Sequence, residues 1–272
     1  MQRKEYHIIT TGISLIINFI KNPKNARTVK KYKMMEWLKI EPEEKIEKTI
    51  KNHTRKTSKL YKKLLTFLEE NPYKASAETN SLLRYCDFLG VKYENITAKI
   101  YTTDTAIGYF AGRIIHDYLT KQKFELDGKP EKIKYFGWGA SFFDNALVEV
   151  LDKITKTLAK AQKQGYITVL NATGGFKPET TFAVIAALLS DVDKIYYIHE
   201  TFKEIVVLPG LPLTIKKEYL KTLRKFKKPV EKWYAIEHML IPEIEIIKLK
   251  EKGLLKEKIE KLETREWIKK LL

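Results

Sequence analysis

The sequence predicts an α/β fold: a doubly wound, mostly parallel sheet with a helical insertion and a small α-rich C-terminal domain. Short apolar runs alternate with amphipathic helical stretches, the pattern that builds such sheets. One run, Tyr166–Leu170, is uninterrupted, as a strand buried on both faces requires. Three runs end in small polar residues directly before a helix, so the step from strand through turn to helix repeats.

In chain order, Tyr6–Thr10 reads as the first strand, closed by Thr10-Thr11-Gly12, and Ser14–Ile20 as its helix. Residues of about 26–75 are Lys/Glu-rich, with helical spacing at Val29, Tyr32, Met35, Trp37 and Leu38 and again at Leu60, Leu64, Leu65 and Leu68; they read as a helical insertion. Ser76 can cap a further helix that carries Leu82, Leu83 and Tyr85 and stops at Gly90. Ala98–Tyr101 is the second strand, followed by Thr102-Thr103-Asp104-Thr105 and a helix over Ala106–Leu119. After a charged linker, Lys121–Lys132, the third strand falls on Ile133–Phe136 and a long helix on about Phe142–Gln164. Tyr166–Leu170 leads through Asn171-Ala172-Thr173-Gly174-Gly175-Phe176-Lys177 into a helix with Pro178 at its start, a position proline favours. Lys194–His199 and Glu204–Leu208 complete the sheet, the final pair fitting an antiparallel edge. These features make the domain over residues 1–213 Rossmann-like. Beyond Pro212, Lys/Glu/Leu/Ile at helical spacing run to the end, and Pro242–Lys252 before Gly253 reads as a helix with a glycine stop. The size of 214–272 suits a winged-helix-like module.

The chain has 272 residues, 44% hydrophobic and 31% charged, which is a globular composition under a heavy coat of charge. The single cysteine, Cys86, excludes an internal disulfide and a Cys-rich zinc site, and fits a reducing, cytoplasmic setting. No apolar run approaches the roughly 20 residues that span a bilayer. His7, His53, His116, His199 and His238 show no metal-ligand spacing. A net charge of +17, from 51 Lys and Arg against 34 Asp and Glu, favours a polyanionic partner; a Lys/Glu/Ile-rich composition is equally a feature of proteins from hot environments.

In a doubly wound sheet the carboxyl ends of the strands share one edge, so the three polar loops converge on one ligand. The candidate binding residues are Thr10, Thr11, Gly12 and Asn18 from the first step, Thr103, Asp104, Thr105 and Gly108 from the second, and Asn171, Thr173, Gly174 and Gly175 from the third. Gly174 and Gly175 admit close backbone approach, and the following helix offers free N–H groups and a positive dipole end, so phosphate is the natural occupant. Lys177 adds a full mobile charge there; the alternative is a tight turn with a solvated lysine. Ser14 can bond a phosphate or ribose oxygen, or merely cap its helix. Asp104 likewise orients a ligand hydroxyl or caps the helix after it. Trp138, and with it Phe142, stacks on a base or belongs to the core. Neither a P-loop nor the three-glycine dinucleotide fingerprint occurs, which argues against an ordinary NTPase or a dehydrogenase.

Taken together, Thr10-Thr11-Gly12-Ile13-Ser14-Leu15, Thr103-Asp104-Thr105 with Gly108, Asn171 to Lys177, and His199-Glu200-x-Phe202 with Leu208-Pro209 resemble the CRISPR-associated Rossmann-fold (CARF) family over about residues 5–215. The resemblance implies a homodimer binding cyclic oligoadenylate across its two-fold interface. Arg113 and His116 stand too close for the Arg-x4–6-His motif of the HEPN ribonucleases carried by many relatives. What remains is similar to ring nucleases, which linearise cyclic tetra-adenylate without a metal or cofactor. That similarity implies catalytic roles for Ser14 and Lys177. No strong general base is visible in the sequence, which predicts slow turnover. The competing expectations are a ligand sensor that binds DNA through its C-terminal module, and a subunit docking on RNA through residues 26–70.

Overall fold

The computed structural model describes residues 4–38, 44–135, 143–174, 177–198, 204–269 and 272, with side chains except at 143–144, 177–179 and 266–267. By contact the chain divides into two compact units, Met1–Leu211 and Pro212–Leu272. In chain order the first runs β1 (Glu5–Thr11), α1 (Ser14–Lys21), α2 (Ala26–Lys31), α3 (Glu44–His53), α4 (Lys59–Glu70), α5 (Pro72–Ala75), α6 (Ala77–Leu89), β2 (Ile96–Thr102), α7 (Ala106–Lys121), β3 (Glu125–Leu126), β4 (Glu131–Lys132), α8 (Phe143–Lys163), β5 (Ile167–Asn171), α9 (Lys177–Leu189), β6 (Lys194–Ile198) and β7 (Ile205–Pro209).

Every residue of β1 is buried, because the strand lies between β2 and β5. Ile9 stands in register with Ile100 on one side and Asn171 on the other. The order is β3-β2-β1-β5-β6-β7, with β4 also pairing β2; all pairs are parallel except the edge pair β6–β7. This is the Rossmann-like α/β fold the sequence predicts.

Ile9, Ile96, Ala98, Ile100, Val169 and Tyr196 enter one buried cluster with side chains of α1, α3, α4, α6 and α7. Successive strand residues face opposite sides, so Tyr101, beside Ile100, points the other way, and its hydroxyl meets Thr157 of α8 at 2.7 Å. The segment read as an insertion is part of this core. Trp37, Ile50, Leu60, Tyr61, Leu64 and Leu68 are at most 5% exposed, and each such side chain stabilises by roughly 1.5–3 kcal/mol. Ser76 caps α6 by accepting from the Thr79 N–H, and Gly90 ends it in the left-handed conformation, φ 64°.

The third strand differs from expectation. β2 is flanked not by Ile133–Phe136 but by the two-residue strands β3 and β4, after which 134–135 form a turn with Tyr135 at φ 64°. Ile133 donates its N–H to the Thr102 carbonyl at 2.9 Å. Phe136 lies outside the described residues.

Beneath α6, the Glu5 carboxylate accepts from the Tyr85 hydroxyl (3.0 Å) and the Lys194 ammonium (3.0 Å) and meets the His7 ring at 2.9 Å. Burial opposes ionisation of Glu5, but its bonds to His7 and Lys194 prevail and lower its pKa from 4.5 to about 2. Burial also lowers the pKa of His7 below 6.5, against the pull of Glu5. Both folded pKa values lie below the unfolded ones, so the unfolded chain takes up protons first on acidification. His7 stability is present above 6.5 and is lost as pH falls below it; that of Glu5 is present above 4.5 and is lost as pH falls towards about 2. Denaturant titrations should therefore show stability falling steadily on acidification. Glu5→Gln should start about 2 kcal/mol lower at pH 7 and show a shallower slope below pH 4.5, Asp117, Asp127, Glu131 and Glu263 supplying the remainder; a wild-type slope in this variant would contradict the assignment.

The second unit comprises α10 (Lys217–Lys225), β8 (Val230–Glu231), α11 (Lys232–Glu237), α12 (Glu243–Glu251), β9 (Leu255–Lys258), β10 (Lys261–Thr264) and α13 (Glu266–Lys269). Its core joins Leu223, Phe226, Ala235, Ile246, Leu249 and Leu262. The strands form an antiparallel sheet ordered β8-β10-β9, so the C-terminal segment is not helical throughout. Among the described residues no helix is long and apolar enough to cross a membrane.

Candidate ligand site at the strand ends

β1 and β5 are adjacent parallel strands whose following helices depart to opposite faces: α1 joins the cluster with α6 and α7, whereas α9 packs on α8. That is the topological switch point of the sheet, where open α/β sheets take their ligands. The loops after both strands carry expected site residues, and the structure ties them together. The Thr10 hydroxyl donates to the Gly174 carbonyl at 2.8 Å, a carbonyl that also accepts from Thr180 at 3.3 Å. Asn171, wholly buried, accepts from the Thr173 N–H at 3.1 Å and pairs with Ser81 of α6. Thr173 in turn accepts from the Ile198 N–H at 3.2 Å. Thr11 is 1% exposed and donates to the Tyr101 carbonyl at 3.1 Å. Thr10, Thr11, Asn171 and Thr173 thus hold the loops in shape.

Ser14 is half-buried in the first turn of α1. Its Oγ donates to Glu78 Oε2 at 2.7 Å and accepts from the Ala77 N–H at 3.0 Å. The other Glu78 oxygen accepts from the Gly12 N–H at 2.9 Å, and Oε2 also accepts from Ser76 Oγ at 2.6 Å. Glu78 is 1% exposed. It stands in the first turn of α6, where the helix dipole favours negative charge. One turn along α1, the Asn18 amide donates to the Lys74 and Ala75 carbonyls (3.2 and 3.1 Å), fixing the chain just ahead of α6. Gly174 completes the packing: a Cβ there would stand 2.5 Å from Glu78 Oε1 and 2.7 Å from the Thr10 carbonyl oxygen.

The second loop is organised separately. Thr105 caps α7 by accepting from the Gly108 N–H (3.2 Å), and its hydroxyl pairs with that of Thr103 at 2.9 Å. Gly108 lies so close that a Cβ would fall 1.8 Å from Thr103 Oγ1. Asp104 accepts from the Lys132 ammonium and from the Tyr135 N–H. Both carboxylate oxygens of Glu47, from α3, accept from the Ala106 N–H at 2.9 and 2.8 Å. Carboxylates from the helical segment between β1 and β2 thus reach both turns, Glu78 at the first and Glu47 at the second.

Gly175, Phe176, Trp138, Phe142, His199, Glu200 and Phe202 lie outside the described residues, and α9 opens at Lys177. Glu78 and Glu47 are the site residues that sequence reasoning missed. A glutamate two residues after a capping serine is a commonplace of first turns, and the partners that tie Glu78 to the site, Gly12 and Ser14, lie more than 60 residues away. The family model described as CRISPR-associated protein (Cas_APE2256) matches residues 73–211, just over half of the chain, from before α6 to beyond β7.

Proposed function

The chain belongs to the CRISPR-associated protein (Cas_APE2256) family, and from that premise we propose that it is a ring nuclease, a CARF protein that binds cyclic tetra-adenylate across a homodimer interface and cleaves it to linear di-adenylate. The observation that carries this reading is the switch point itself. There Thr10 fastens the loop after β1 to Gly174, Glu78 holds the Ser14 hydroxyl beside that loop, and α9 opens at Lys177 three residues beyond Gly174, an arrangement that supports phosphate binding. A symmetric ring meets these loops twice.

The ring opens by attack of a ribose 2′ oxygen on its own 3′ phosphorus as the bond to the 5′ oxygen breaks. The products carry 2′,3′-cyclic phosphates. Because nucleophile and phosphorus belong to one nucleotide, the barrier is largely orientation, which the loops supply. Lys177 and the α9 N-terminus stabilise the charge that grows on the phosphoryl oxygens and the leaving 5′ oxygen. No metal or cofactor is required on this reading. Its binding half is tested by titrating radiolabelled cyclic tetra-adenylate: one ring per two chains is expected, and one ring per chain would rule out the shared interface.

A regulator that binds DNA is the second reading. Helix, strand, helix, helix and hairpin follow one another in Pro212–Leu272 as in a winged helix. Against it, α12 opens on Glu243 and Glu245 and exposes Ile244 and Ile247, chemistry ill-suited to base edges and phosphates. A salt-sensitive shift of duplex DNA that responds to the ring would favour this reading instead.

A further inference from the structure

We infer that Glu78 is the positioning residue that turns Ser14 into a proton acceptor for the attacking 2′-hydroxyl, giving the site the base that the sequence did not show; this rests on the ring-nuclease reading. Main-chain nitrogen can only donate, so Ser14 Oγ must accept from the Ala77 N–H, 3.0 Å away. A carboxylate can only accept, so the one hydroxyl proton of Ser14 is committed to Glu78 Oε2 at 2.7 Å. Ser14 is left with a lone pair and no proton to offer. It therefore meets the ligand as an acceptor, and the complementary group on a ribose phosphate is a hydroxyl, not a phosphate oxygen.

The Gly12 N–H and Ser76 Oγ hold Glu78 fixed from other directions, and burial at 1% exposure keeps water from taking its place beside Ser14. The step balances. As O2′ bonds to phosphorus, its proton passes to Ser14 Oγ while the Ser14 proton passes to Glu78. The P–O5′ bond breaks and the 5′ oxygen takes a proton from solvent; Glu78 later returns its own.

Glu78→Gln retains a carbonyl oxygen that can accept from Gly12 or Ser14 but removes the proton acceptor. Single-turnover cleavage of cyclic tetra-adenylate should fall about 100-fold or more, with ring affinity within a few-fold of wild type. Across pH, the wild-type rate should reach a plateau, because the relay supplies the proton acceptor. In Glu78→Gln it should rise about tenfold per pH unit throughout, because hydroxide must then take the proton. Ser14→Ala, which leaves Glu78 in place, should show the same unlevelled profile, and the double variant should be no slower than the slower single one. If Glu78→Gln fails to fold, the Ser14→Ala profile decides alone. A profile in either variant that levels off like that of an active wild type overturns the relay and leaves the ring-nuclease reading standing. A wild type that binds the ring and never cuts it overturns that reading, and the relay with it.

Discussion

Lys177→Ala should slow ring cleavage about 100-fold or more while leaving ring binding measurable. Lys177 opens α9 directly after the loop that Thr10 fastens to β1 at Gly174. An anion at that helix start already receives backbone N–H groups and the dipole. Ground-state affinity therefore has support other than the lysine. The pentacoordinate state does not: charge on phosphorus and on the departing oxygen is greatest there, and a full positive charge acts where it develops. Single-turnover rates beside an equilibrium titration separate the two effects. A variant that binds weakly but cuts at the wild-type rate once saturated would make Lys177 a binding residue, and an unchanged rate and affinity would remove it from the site.

Gly174→Ala should lower both stability and cleavage. The added Cβ would meet Glu78 Oε1 at 2.5 Å, Glu78 Cγ at 2.6 Å and the Thr10 carbonyl oxygen at 2.7 Å. Thr10 is backbone of the central strand and cannot withdraw without breaking its register with Tyr101 of β2. Glu78 must then shift, and its bonds to Ser14 and Gly12 go with it. We expect a stability loss of about 1–3 kcal/mol by denaturant unfolding and a cleavage loss of about 100-fold from the displaced Ser14. Gly108→Ala is the internal comparison. The atom its Cβ would strike at 1.8 Å is the Thr103 hydroxyl oxygen, on a side chain that can turn, so its effect should be smaller. Equal effects at the two glycines would contradict this account of the packing.

Much of the frame was legible because it rests on local signals. Apolar runs located β1, β2, β5, β6 and β7 to within a residue or two, and Ser76 and Gly90 bounded α6. β3 and β4 escaped notice because they lie in a charged linker, pair only two residues each with β2, and present Glu125, Glu131 and Lys132 instead of an apolar run. The hairpin of β9 and β10 was hidden for another reason. Its turn places Ile259 and Glu260 at φ 50° and 57°, a conformation normally announced by Asn or Gly. The strands themselves, Leu-Lys-Glu-Lys and Lys-Leu-Glu-Thr, look like solvated helix.

The candidate site was half legible. Its loops followed from sheet grammar, since small polar residues at parallel strand ends have one common edge. Glu78 and Glu47 did not, because their roles arise from the folding of the long segment between β1 and β2 back over both turns. Composition suggested an appended insertion; the burial of Trp37, Tyr61 and Leu64 makes it part of the core that positions those carboxylates.

The central claim is tested most directly by incubating the protein with radiolabelled cyclic tetra-adenylate in EDTA, with enzyme and then substrate in excess, and resolving the products against linear markers. The account predicts conversion to linear di-adenylate bearing 2′,3′-cyclic phosphate ends. Tight retention of an intact ring would contradict it and would make the protein a sensor.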